Sequence, residues 1–162
     1  MELIGTVVLE SERCIYRKIQ SDDIINGELI KEKTWEHFEK VYQDNGYEWA
    51  IVDKKLNIIV GVIGLVIVSE YHDVVELKFR TYESYRLKGY MREAVKTIIQ
   101  FSFDILKANR VQGICEVNNL GSAKVMLNNN MTQEGLLRSY AKVNETEYSD
   151  CYIYSIIQSD LR

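Results

Sequence analysis

The sequence predicts a mixed α/β (α+β) fold around one central sheet, and three observations carry that prediction. Residues Asn57 to Ser69 are crowded with β-branched side chains, the composition of a buried strand. Val74 to Arg80 alternates, with Val75, Leu77 and Phe79 on one face and Val74, Glu76, Lys78 and Arg80 on the other. From Gly89 to Leu106 the period changes: Met91, Ala94, Val95, Ile98, Ile99, Phe101 and Ile105 recur at helical spacing. Strand-like and helix-like stretches interleave in this way along the chain, the pattern of a sheet covered by helices.

Taken in order, residues 6–19 read as a first strand. Ser21-Asp22-Asp23 suits the N-cap of a short helix reaching Lys31. Thr34-Trp35-Glu36-His37 opens a second helix to Tyr42, which Asp44-Asn45-Gly46 ends. Glu48 to Val52 is a strand, and Asp53 to Asn57 supplies the turn into the β-branched stretch. After the long helix come a strand at Val111 to Val117 and a short helix at Ser122 to Leu127. A terminal hairpin is predicted from Leu136 to Val143 and Cys151 to Ile157.

With 162 residues, the chain has room for one domain spanning 1–162. Its most apolar stretch, Ile58 to Val68, is far short of the ~20 residues that span a bilayer. The opening Met1-Glu2-Leu3-Ile4 lacks the basic and apolar regions of a signal peptide, so a cytoplasmic protein with no membrane partner is expected. Cys14, Cys115 and Cys151 are odd in number and widely spaced, which disfavours a disulfide framework or a zinc site. His37 and His72 lack partners at metal-ligand spacing, so no metal is expected. A net charge of −4 weighs against nucleic acid as a partner.

One junction invites chemistry: Tyr85-Arg86-Leu87-Lys88-Gly89-Tyr90-Met91-Arg92-Glu93-Ala94, between a strand and the longest helix. A loop entering a helix offers unpaired amides and the positive end of the helix dipole, which suit phosphate. Gly89 permits close backbone approach or φ > 0, and Arg86, Lys88 and Arg92 add positive charge. The same residues also suit an ordinary strand-to-helix turn, because a single glycine is a weak signal.

Arg86-x-x-Gly89-x-Met91 followed by Glu93-Ala94 resembles the pyrophosphate motif of the GNAT superfamily of N-acetyltransferases. Leu9-Glu10-Ser11-Glu12-Arg13-Cys14-Ile15-Tyr16-Arg17 resembles the opening of the branch that acetylates ribosomal-protein N-termini. Asn109-Arg110-Val111, Asn119 with Ser122, Gln133-Glu134-Gly135, and Asp150 with Tyr154 resemble its later segments in the same order. The loop's third small residue is here Met91, Asn130 stands where the family has Gly, and Met126 stands where many members carry an acidic Tyr.

The resemblance implies a central, mostly antiparallel, twisted sheet of about six to seven strands flanked by helices. It implies transfer of acetyl from acetyl-CoA to a primary amine, either a protein N-terminus or a small molecule. The cofactor-binding residues implied are Arg86, Leu87, Lys88, Gly89, Tyr90 and Met91 for the pyrophosphate. Leu77, Phe79 and Arg80 would line the pantetheine arm, and Asn119 and Ser122 the sulfur region. Glu76 is the candidate base and Ser122 the candidate proton donor; each also reads as an ordinary surface-pair or helix-start residue. Tyr140, Tyr152 and Tyr154 could wall the acceptor site, and the acidic run Asp22, Asp23, Glu28, Glu32, Glu36 suits either a cationic acceptor or a solvated face. A homodimer is compatible with this reading, as is the alternative of a catalytically idle CoA-binding module serving as sensor or partner.

Overall fold

The computed structural model describes residues 1–161. Strands β1 (Leu9–Glu10) and β2 (Cys14–Arg17) form a first hairpin, and β3 (Ile24–Ile25) and β4 (Glu28–Leu29) form a second, separate one. Helix α1 (Glu32–Gln43) follows, then the meander β5 (Tyr47–Asp53), β6 (Ile58–Ser69) and β7 (Val74–Thr81). The chain continues through α2 (Tyr90–Asp104), β8 (Arg110–Glu116), α3 (Leu120–Leu127), β9 (Thr132–Lys142) and β10 (Tyr148–Ile157).

Eight strands join in the order β1-β2-β5-β6-β7-β8-β10-β9. Every neighbouring pair is antiparallel except β7 with β8, which is parallel. The sheet exceeds the expected six to seven strands because the first segment breaks at Ser11-Glu12-Arg13 and folds back as β1 and β2. Two antiparallel strands therefore replace the single strand expected over residues 6–19.

Period-two alternation splits the core into two layers. On β5, Tyr47, Trp49 and Ile51 face one cluster with the α2 stripe Ala94, Val95, Ile98 and Ile99. Ala50 and Val52 face the opposite way, onto Phe38 of α1 with Ile19, Ile59 and Tyr82. Each buried aliphatic or aromatic side chain stabilises by roughly 1.5–3 kcal/mol relative to exposure, so α2 is fixed against the sheet by its whole inner face.

The short helix expected at residues 21–31 is absent. Asp23 instead receives both terminal nitrogens of the Arg17 guanidinium at 2.8 and 2.9 Å and the Gln20 amide at 2.7 Å, which closes a turn. Asn26 and Gly27 then take φ of 54° and 80°, the left-handed pair of a tight hairpin between β3 and β4. The next helix starts at Glu32, two residues before the expected Thr34.

Candidate functional site

The β7–β8 register creates the site. These two strands pair only from Val74↔Arg110 to Leu77↔Gly113, yet β7 runs on to Thr81 and β8 to Glu116. Beyond Leu77 the strands part. Because they are parallel, the helices that follow them begin at the same end of the sheet: α2 after β7, α3 after β8. In open parallel sheets ligand sites lie outside the carboxyl ends of the strands, and this one parallel pair presents the same kind of opening.

A cavity of about 880 Å³ lies between the two helix starts. Phe79, Arg80, Arg86, Leu87, Gly89, Tyr90, Met91, Asn119 and Ser122, all expected from the sequence, line it together. Among the described residues, Arg80, Arg86, Arg92 and Lys124 supply its four cations, and no Asp or Glu lines it. Two positive helix ends and four cations in a protein of net charge −4 make a locally positive surface suited to an anion.

Local backbone geometry fits a phosphate group. Leu87 and Gly89 both adopt left-handed φ, 61° and 80°, on either side of Lys88. Loops bent this way make anion-binding concavities from successive N–H groups. Leu87 is fully exposed, so no side-chain packing holds it in that conformation. A Cβ on Gly89 would sit 3.3 Å from Nη2 of Arg13, so both the φ and the space call for glycine. Met91 is 5 % exposed, its side chain packed in the α2 core, so the loop needs no small residue there. Tyr90 likewise turns inward, where its hydroxyl donates to Asp53 Oδ2 at 2.7 Å. That hydrogen bond raises the Tyr90 pKa, while the Leu56 amide and then the Tyr90 hydroxyl lower that of Asp53.

A second cavity of about 320 Å³ occupies the gap where β7 and β8 part. Leu77 lines this one, and Phe79, Asn119 and Ser122 line both, so the two spaces meet at those residues. Tyr140 and Cys151 form part of its wall. Among the described residues Glu116 is its one carboxylate, with Oε2 accepting from the Ser149 hydroxyl at 2.8 Å. Burial raises the Cys115 and Cys151 pKa values, which keeps both thiols protonated and poorly nucleophilic at neutral pH.

Several expected residues stand elsewhere or are otherwise engaged. Glu76, the expected base, lines neither cavity: it is 7 % exposed, ion-paired with Lys78, and accepts from Gln112 Nε2 at 2.8 Å. Lys88 also lines neither; its ammonium lies 5.9 Å from the Tyr85 ring centre. The Asn119 side chain accepts from the Ser122 amide at 3.1 Å and caps α3, so this pair has a structural task beside its place in the cavities. Met126 is 1 % exposed and sits beneath Gly113, where an added Cβ would be 2.5 Å from its Sδ. Tyr154 is buried with its hydroxyl at 3.1 Å from Gln133 Oε1, away from both cavities; Tyr152, too, lines neither.

Sequence reasoning gave no role to Glu116 or Lys124. Glu116 falls inside the strand expected at Val111 to Val117, and nothing in the linear order puts it opposite Leu77 and Phe79.

Comparison with known proteins adds a second line of evidence. A family model described as an acetyltransferase (GNAT) domain matches residues 10–132. The uncharacterized N-acetyltransferase YoaA of Bacillus subtilis (strain 168) is 24% identical, over 93% of this chain and 97% of that protein. The crystal structure of a GNAT-family acetyltransferase from Bacillus anthracis superposes with a TM-score of 0.78 at 23% identity, over 94% of this chain and 99% of that one. The ribosomal-protein-S5-alanine acetyltransferase from Vibrio fischeri gives 0.77 at 19% identity, over 96% and 99%. At these identities the structural likeness speaks to the fold.

Proposed function

The chain belongs to the GNAT acetyltransferase family, and on that premise we propose that it moves the acetyl group of acetyl-CoA onto a primary amine that enters through the second cavity. The observation that carries this reading is the convergence of both helix starts and four cations, without a carboxylate, on the larger cavity. A coenzyme pyrophosphate is the ligand chemistry such a surface favours.

In this proposal the Arg86–Met91 loop and the α2 start bind the pyrophosphate, while Phe79 and Arg80 guide the pantetheine arm along the part of β7 that has left β8. The thioester then lies where the cavities meet, beside Phe79, Asn119 and Ser122. Holding donor and amine on opposite sides of one gap is itself a large part of such catalysis. An alkyl ammonium near neutral pH must lose a proton before its nitrogen can attack. Glu116 is placed to take that proton, directly or through a water, and replaces Glu76 in the role. The neutral nitrogen attacks the thioester carbon to form the new N–C bond; as the C–S bond breaks, the nitrogen gives up its second proton, which passes through the Ser122 hydroxyl to the departing sulfur and leaves the serine unchanged. With Met126 buried, no tyrosine supplies that proton from its position.

A thiol-release assay with acetyl-CoA and a panel of amines tests the proposal. The panel includes polyamines, amino sugars and peptides beginning with Ala, since the Vibrio fischeri neighbour is a ribosomal-protein-S5-alanine acetyltransferase. Release of coenzyme A that depends on the amine supports acetyl transfer. Donor binding with no turnover on any amine would favour an idle coenzyme-binding module instead.

A further inference from the structure

We propose that Arg13, in the turn between β1 and β2, is a positioning residue that presets the anion-binding loop from behind without touching the ligand. The inference rests on the donor reading above and adds a residue that lines neither cavity.

Three contacts converge on its side chain, and its Nη2 also closes off the space over Gly89. Nε donates to Glu93 Oε2 at 2.7 Å, and Nη1 donates to the Lys88 carbonyl at 3.0 Å. The guanidinium lies 4.5 Å from the Tyr90 ring centre, and Nη2 comes within 3.3 Å of where a Gly89 Cβ would be. The planar fork of an arginine can make all these contacts at once; a lysine cannot.

Their effect falls on the two left-handed residues. Lys88 sits between Leu87 and Gly89, and a left-handed leucine with no side-chain contacts must be held by its neighbours. Arg13 draws the Lys88 carbonyl to the back of the loop, a polarity of the peptide that favours N–H groups on the cavity side. The clasp is itself secured, because Glu93 Oε1 accepts from the Ser11 hydroxyl at 2.6 Å and from the Arg13 amide at 2.8 Å. Glu93 lies in the first turn of α2, where its negative charge would oppose a bound pyrophosphate. Arg13 cancels that charge, and the Glu93 hydrogen bond in turn raises the Arg13 pKa further.

The experiment compares wild type with Arg13→Ala, Arg13→Lys and Arg13→Ala/Glu93→Gln by calorimetry. The probes are acetyl-CoA and the 3′-phospho-ADP fragment, which carries the pyrophosphate and lacks the pantetheine arm. Loss of a charged hydrogen bond predicts a roughly tenfold weaker Kd for both probes in Arg13→Ala. KM for acetyl-CoA should rise by the same factor while kcat at saturating donor stays within about twofold. The double variant should regain part of the affinity, since it no longer buries an uncancelled carboxylate. Arg13→Lys should fall between wild type and Arg13→Ala, and it decides the matter if Arg13→Ala does not fold. Unchanged affinity in the variants, or a drop in kcat with unchanged KM, would overturn the inference. A wild-type protein that binds neither probe would instead overturn the donor reading on which it rests.

Discussion

The Glu76 carboxylate accepts a 2.8 Å hydrogen bond from the Gln112 side chain across the parallel pair, on residues in direct register. Both of its oxygens are engaged, one by Gln112 and one by Lys78. It therefore ties β7 to β8 just before they part. Glu76→Gln should leave kcat within about threefold of wild type, because it touches neither cavity. Glu116→Gln should lower kcat about a hundredfold, the scale of a lost general base, with KM for acetyl-CoA little changed. Steady-state kinetics on both variants decide between the two carboxylates. Equal losses would remove Glu116 from the role.

Restoring tyrosine at position 126 should not restore an acid. Met126 is packed under Gly113 and lines neither cavity, so Met126→Tyr must overfill the core. Overpacking of this kind costs about 1–3 kcal/mol. Chemical denaturation should show that loss, and kcat should not rise. A faster enzyme would mean that the side chain had found a way to the sulfur.

Acid should loosen the clasp around the loop. Burial would raise the Glu93 carboxyl pKa, but its bonds from Ser11 and Arg13 outweigh that and lower it; Asp53 is lowered by the Leu56 amide and then the Tyr90 hydroxyl. Folded pKa values below the unfolded ones of roughly 4.3 for Glu and 3.9 for Asp mean stabilisation that is present above that range. It is lost as pH falls through the depressed folded values. Thermal melts should therefore show Tm falling below about pH 4, with a shallower acid limb in Glu93→Gln. An acid limb unchanged by Glu93→Gln would remove that carboxylate from the account.

The turn after α3 offers a backbone test. Asn130, which stands where the resembled family has Gly, has φ of 60°, a left-handed conformation that Asn tolerates better than most residues. Asn130→Gly should keep Tm or raise it slightly, while Asn130→Val should lose about 1–2 kcal/mol from strain at that φ. Urea denaturation separates the two. Equal stability of both variants would contradict a strained position.

How far the sequence could be read depended on the range of the interactions involved. Strands β6 and β7 and helix α2 were legible because each carries a long, clear period whose apolar face is the buried one. The cavity-lining junction before α2 was legible because Gly89 and its neighbouring cations are local to one stretch. The segment near Ser21 was misread although Asn26-Gly27 between Ile24-Ile25 and Glu28-Leu29 is a strong hairpin signal. Asp23 looked like a cap, and only the fold brings Arg17 to it. Glu116 and Arg13 could not be weighed from the chain alone: one lines the opening between β7 and β8, the other reaches across 80 residues to Glu93.

The central claim is that the donor's pyrophosphate sits on the loop ending at Gly89. Calorimetric titration of acetyl-CoA into wild type and Gly89→Asp tests it most directly. The substitution adds a negative charge, strain at φ 80°, and a side chain against Arg13. The account predicts saturable one-to-one binding by wild type, and affinity at least about a hundredfold weaker in the variant. Equal affinity in the two proteins, with the variant folded, would contradict it.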